Sequence, residues 1–203
     1  MLDRTIDSWL ADLASDKPAP GGGAAAAMNA AVGAALVGMV CNLTLGRPRY
    51  AEHETLMRET RAAADDLRAR AVRLADEDAA AFGAVADAYQ LPKDSAERTT
   101  AIQAALVGAA EVPLRTAAVA AAVIDLAGKI IDKSNPNVIS DVAVAATSAR
   151  AALDAAVINV EVNLTALHDL SRRDTLRAEL DKHAGAVTAA AAIVAEVRDR
   201  INR

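Results

Sequence analysis

The chain has 203 residues, of which 53% are hydrophobic, 24% charged and 2% aromatic, with a formal net charge of −5. An acidic balance without a Lys/Arg cluster argues against nucleic-acid binding. Alanine dominates the apolar content and β-branched runs bounded by turns are scarce, which excludes a sheet-based core and predicts an all-α fold.

The elements follow in order. Residues 3–14 predict a short helix, with Asp3 as N-cap and Leu2, Ile6, Trp9, Leu10 and Leu13 as its apolar stripe. Ser15 to Gly23 reads as a loop, extended by its prolines and freed by three glycines. A second helix runs to about Leu45. In it Gly23, Ala27, Ala31 and Ala35 repeat at four, as do Ala30, Ala34 and Gly38, making small ridges that allow close backbone approach. Residues 18–46 carry no charge, a run long enough to span a membrane, but Ala, Gly, Asn29, Asn42 and Thr44 make it a weak insertion signal. The expectation is the central helix of a soluble bundle, without membrane contact.

Gly46-Arg47-Pro48-Arg49 stops that helix, and a long third helix covers about 50–90. Its stripe is Leu67, Ala71, Leu74, Phe82, Val85 and Tyr89, and Asp78 falls on the same stripe. A carboxylate there is either a buried hydrogen-bonding strut or, with its pKa raised by burial, a group prepared for acid/base work. After the Leu91-Pro92-Lys93 turn, a fourth helix reaches about Glu111. Pro113 then kinks the chain or opens a fifth helix to about Lys133.

Asn135-Pro136-Asn137 is a turn before a sixth helix, about 138–168. One face of it collects Asp141, Ala145, Ser148, Ala152, Ala156, Asn159 and Asn163: small in the middle, polar at both ends. Unpaired buried polar groups cost roughly 1–3 kcal/mol each. Either neighbouring helices satisfy these side chains or a polar ligand does. A seventh helix carries the seam Leu176, Leu180, His183, Val187, Ala190, Val194, Val197 and Ile201, spaced for bundle packing or a partner helix. The expected architecture is a single antiparallel bundle of about seven helices in one domain spanning residues 1–203.

Cys41 lies alone in an apolar helix and cannot form an internal disulfide, which suits a cytoplasmic location. Met1 leads directly into MLDRTID, so no signal peptide is expected. His53, His168 and His183 are scattered without metal-ligand spacing, and no metal is expected. Gly21-Gly22-Gly23 at a helix start could present N–H groups to an anion or be a plain helix entry; no Gly-Lys-Ser/Thr follows. The remaining amides and carboxylates suit a neutral or cationic heteroaromatic ligand: amides read flat heterocycles through paired donors and acceptors, and carboxylates move protons.

Seven pieces in order extend this reading: PAPGGGAAAAMNAAVGAALVGMV (18–40), CNLTLGRPRY (41–50), DEDAAAFGAV (76–85), LPKD (91–94), VPL (112–114), NPNVISD (135–141) and NVEVN (159–163). With them the chain resembles the cyclodeaminase/cyclohydrolase family of folate one-carbon enzymes. The resemblance implies a helical homodimer with a folate cleft, a tetrahydrofolate derivative as substrate and no bound cofactor. By position it implies substrate contacts from Gly21, Gly22, Gly23, Tyr50, Asn135, Asn137, Ser140, Asn159 and Asn163. It implies catalysis by Asp78 or Asp141 as base for water, with Lys93 as proton donor or oxyanion stabiliser. The lysine-rich GKKxY of relatives stands here as Gly46-Arg47-Pro48-Arg49-Tyr50.

Two reactions occur in that family: hydrolysis of 5,10-methenyltetrahydrofolate to 10-formyltetrahydrofolate, and ring closure of 5-formiminotetrahydrofolate with loss of ammonia. The chain reads as free-standing, and its CNLTLG and NVISD motifs are nearest the cyclohydrolase branch, so methenyltetrahydrofolate cyclohydrolase is the expected activity. Formiminotetrahydrofolate cyclodeaminase is the first rival. A non-catalytic module, binding folate or binding a partner helix through the 176–201 seam, is the second.

Overall fold

Alanine sets how closely these helices approach. The computed structural model describes residues 4–203, which form seven α-helices and, among the described residues, no strand. In order they are α1 (Ile6–Leu13), α2 (Gly22–Asn42), α3 (Glu54–Gln90), α4 (Arg98–Ile130), α5 (Ile139–Thr165), α6 (Leu170–Asp181) and α7 (Gly185–Ile201). Short 3-10 turns, Pro48–His53 and Pro136–Val138, lead into α3 and α5.

Helix α2 is central and packs on α3, α4 and α5. Its Ala24, Ala27, Ala30 and Ala34 are buried against Ala145, Ala149, Ala152 and the rest of one continuous apolar core. At Gly33 a Cβ would sit 3.0 Å from the Ala145 carbonyl oxygen and 3.3 Å from the Ala149 nitrogen. Small residues thus bring α2 and α5 into backbone contact, at Gly33, which lies on neither predicted ridge; Ala35 of the first ridge is exposed. Both α2 and α4 are long and apolar enough to cross a membrane, and both lie mostly inside the bundle.

The long helices are tied by a few polar contacts. Arg115 on α4 pairs with Glu77 on α3 at 2.6 Å. Gln103 on α4 closes the end of α5, donating to the Ala166 carbonyl at 3.1 Å and accepting from the His168 N–H at 2.7 Å. Arg172 on α6 pairs with Glu111 on α4.

Three boundaries differ from the sequence reading. Helix α4 runs unbroken through Pro113, so the expected fourth and fifth helices are one. Conversely, the expected seventh helix breaks between Asp181 and Gly185 into α6 and α7. Half of its seam is taken up by the bundle: Leu176, Leu180, Ala190 and Val197 are buried and α7 packs on α4 and α5, while Ile201 is exposed. Asp3 and Leu2 lie outside the described residues, and Thr5 caps α1 by accepting from the Ser8 N–H at 3.1 Å. Helix α1 buries none of its residues and rides on the surface.

Candidate active site

The stripe on α3 changes character half-way along. Leu67, Ala71 and Leu74 are buried in the core, but the next turn carries Asp78 and then Phe82, which is 48% exposed. Sequence alone places Phe82 and Tyr89 in the core; the structure leaves both half-exposed. Beyond Leu74 this face of α3 looks instead onto a cavity of about 410 Å³, within the size range of small-molecule sites. The floor is the start of α2, Gly21 to Gly23, and the far wall is the end of α5 with Asn159, Val162 and Asn163. Leu106 and Ala109 of α4 close the back.

Asp78 is held against the first turn of α2, where it accepts a hydrogen bond from the Ala24 N–H. Burial raises its pKa from the ordinary value of 3.8, and the Ala24 N–H works against that rise. The unbonded N–H groups of a helix start also favour a carboxylate there. The close fit depends on Gly23: a Cβ at that residue would overlap the Asp78 carboxylate.

The amides of α5 face the same space with their bonding capacity only partly used. Asn159 donates from Nδ2 to the Ala155 carbonyl at 2.8 Å. Asn163 donates from Nδ2 to the Asn159 carbonyl at 2.8 Å and to the Ala109 carbonyl of α4 at 3.2 Å. The Ala109 carbonyl is the one that Pro113, lacking an N–H, leaves without its helical donor. The proline in α4 thus supplies the anchor for an α5 side chain. Neither Oδ1 accepts a hydrogen bond among the described residues. Both donors of Asn163 are satisfied by the fold, Asn159 has one of its two donors engaged, and both acceptors are left to the cavity.

The other sequence-predicted residues lie elsewhere. Asn135 is buried at the far end of α2, donating its N–H to Thr44 Oγ1 at 3.0 Å and Nδ2 to the Leu43 carbonyl at 3.2 Å. Its Oδ1 accepts from the Asn137 N–H at 3.1 Å and from the Tyr50 hydroxyl at 3.5 Å. The Arg49 guanidinium lies 5.7 Å from the Tyr50 ring centre. Asn137 and Ser140 are exposed, and Asp141 is half-buried in the first turn of α5. This second cluster is separated from the cavity by the length of α2, about 30 Å at the helical rise. Lys93 is exposed in the turn after α3, outside the residues that line the cavity.

Residues 5–182 match the model of the family described as Formiminotransferase-cyclodeaminase. The chain belongs to that family. It is 44% identical over 183 residues to methenyltetrahydrofolate cyclohydrolase from Methylorubrum extorquens, covering 88% of each. It is 33% identical over 173 residues to formimidoyltransferase-cyclodeaminase from Rattus norvegicus, covering 83% of this chain and 32% of that protein. A crystal structure of formiminotetrahydrofolate cyclodeaminase from Thermotoga maritima superposes with a TM-score of 0.91 at 27% identity, covering 100% of this chain and 99% of that one.

Sequence reasoning passes over two residues that shape this cavity in the formiminotransferase-cyclodeaminase fold. Phe82 reads as core because its spacing continues the stripe. Pro113 reads as a kink or a helix start, and its acceptor-side consequence, on Asn163, falls fifty residues along the chain. No pattern within α4 could have signalled it.

Proposed function

We infer that the chain is a methenyltetrahydrofolate cyclohydrolase. The observation that carries the reading is a half-buried carboxylate, Asp78, held at a helix start and facing two amide acceptors across a small-molecule cavity. The 44% identity to the Methylorubrum extorquens cyclohydrolase over 88% of both chains supports the reaction.

In this reading the carbonyl oxygens of Asn159 and Asn163 accept from the amino and ring N–H groups of the pterin. The methenyl carbon, already electron-poor between N5 and N10, needs little activation. Asp78 takes a proton from water as its oxygen attacks that carbon, giving a neutral carbinolamine. The carbinolamine then collapses: the hydroxyl proton is lost, C=O forms, the bond to N5 breaks, and N5 receives the proton that Asp78 took. One proton is released overall and 10-formyltetrahydrofolate remains. Positioned proton transfer of this kind is worth roughly 10²–10⁴-fold in rate.

The test is the disappearance of methenyltetrahydrofolate absorbance under conditions where spontaneous hydrolysis is slow. Fast loss with the wild type and background loss with Asp78→Asn is the expected pair. Full activity in Asp78→Asn would sink this assignment. The Thermotoga maritima neighbour favours a second reading, cyclodeaminase; ammonia release from 5-formiminotetrahydrofolate, without loss of methenyltetrahydrofolate, would select it.

The homodimer is part of the same proposal. The solvent-facing stripe of α2, with Val32 at 48% and Met39 and Leu43 at 37% exposure, contains no charged residue, and the neighbouring stripe of α5 exposes Val144, Ile158 and Val162. A twofold axis perpendicular to α2 would lay the start of one α2 beside the end of the other. The Asn135, Asn137, Ser140 and Asp141 cluster of a second copy would then border the Asp78 cavity. Roles for Asp141 and Tyr50 in this reaction rest on that pairing, and Lys93 extends from the same end of the bundle as the cavity. We place the reaction in the cytoplasm: Cys41 is buried and unpaired, and burial pushes its thiol up to about 11.

A further inference from the structure

We propose that Phe82 is the aromatic face on which a flat ring of the substrate stacks. It is the chain's single phenylalanine, in a sequence that is 2% aromatic. It stands one helical turn beyond Asp78 on the same side of α3 and lines the cavity. It is 48% exposed, whereas its neighbours Ala81 and Val85 are partly buried against the core. Tyr50 and Tyr89 are each engaged by an arginine; Phe82 has no such contact among the described residues.

A large ring left open in a protein built from alanine does not serve the fold. Across the cavity, the unbonded oxygens of Asn159 and Asn163 can take hydrogen-bond donors only from the edge of a ligand, while a phenyl ring takes a face. Val162, also open to solvent, extends the apolar wall. A slot with a π face on one side and edge acceptors on the other fits a planar donor-edged heterocycle. An electron-poor or cationic ring would add attraction to the face of Phe82.

This inference rests on the folate reading and deepens it. Two parts of a folate are flat, the pterin and the aminobenzoyl ring, and both offer the same stacking chemistry. The experiment compares Phe82→Leu, which keeps bulk without a π face, Phe82→Tyr, which restores the face, and the wild type. Phe82→Leu is expected to raise KM for methenyltetrahydrofolate about tenfold, with kcat within about twofold and the melting temperature unchanged; Phe82→Tyr returns KM to near wild type. Competition by free 6-methylpterin and by 4-aminobenzoylglutamate assigns the ring: the fragment whose inhibition weakens in Phe82→Leu is the one that stacks. Unchanged KM in Phe82→Leu overturns the proposal, as does a change in oligomeric state with KM unaltered. A wild type that fails to turn over methenyltetrahydrofolate refutes the cyclohydrolase reading instead. In that case fragment binding that weakens in Phe82→Leu and recovers in Phe82→Tyr upholds the stacking face, and fragment binding equal in all three overturns it.

Discussion

A Cβ added to Gly23 would lie 2.0 Å from Oδ1 of Asp78 and 2.5 Å from its Cγ. No real side chain tolerates that approach, so the carboxylate occupies the space glycine leaves. Gly23→Ala must displace Asp78 or the first turn of α2. The expected loss is about 1–3 kcal/mol of stability from overpacking, with activity falling roughly 10²-fold or more as the proton-transfer group moves. Gly22→Ala is the control, because its Cβ would meet Asn159 at an ordinary 3.8 Å. Thermal melts and the absorbance assay on both variants check this; equal behaviour of the two would show that the carboxylate is not held by Gly23.

The raised pKa of Asp78 has a sign for stability. Between the unfolded value of 3.8 and the higher folded value, the folded chain binds more protons than the unfolded one. Its contribution is therefore fully present below pH 3.8 and is lost as pH rises through the folded pKa. Above that folded pKa the ionised Asp78 strains the fold, and there Asp78→Asn, which removes the charge, is expected to melt higher than wild type while losing activity. The gap should close in acid, below 3.8. For the wild-type enzyme the base must be ionised, so activity rises with pH through that same raised pKa. A lower melting point for Asp78→Asn at neutral pH would show that the carboxylate is a structural strut.

Pro113 predicts stability and function moving in opposite directions. Pro113→Ala restores an N–H that can bond the Ala109 carbonyl, and relief of an interior helix proline is worth up to about 3 kcal/mol. The same bond competes with Asn163, which now donates to that carbonyl at 3.2 Å. A higher melting temperature with KM raised roughly two- to tenfold is expected, the scale of one hydrogen bond. Melting curves and Michaelis profiles of the one variant decide it; an unchanged KM would mean that Asn163 does not need its α4 anchor.

The twofold arrangement predicts subunit complementation. Asp78→Asn and Asp141→Asn homodimers should each be nearly inactive. Refolded together in equal amounts, half of the dimers are mixed, and each mixed dimer holds one site with both native carboxylates. Recovery of about one quarter of wild-type activity is expected for a site shared across the axis. Absence of recovery, or full activity of Asp141→Asn alone, would confine the site to one chain.

Much of the site is legible because buried polarity is rare. Asp78, Asn159 and Asn163 each break an apolar helical pattern, and all three converge on one cavity. Asp141 breaks the pattern equally well, yet it lies at the other end of α2, where Asn135 of the preceding turn is bonded within the chain. Periodicity registers that a polar group faces inward and is blind to what it meets there. The reason for Gly23 is blind in the same way, since its partner lies on another helix. Pro113 and the 182–184 break show the remaining gap: local propensity favours stopping a helix at proline, and the packing of Val112, Thr116 and Ala117 into the core overrides it. The C-terminal seam has no proline or internal glycine run to announce its turn, and its residues fold back onto α4 and α5 in two pieces.

The contact at Gly33 has a consequence for how such sequences change over time. What a methyl group would strike there is the backbone of α5, which cannot step aside as a side chain can. Neither helix can accept volume without the other retreating, so single substitutions along this line are confined to exchanges among the smallest residues. Drift must collect on surfaces such as α1, α6 and the outer turns of α3. Distant descendants of this chain would thus keep their α2–α5 seam after their outer helices had become unrecognisable, and that seam is where an alignment of them should begin.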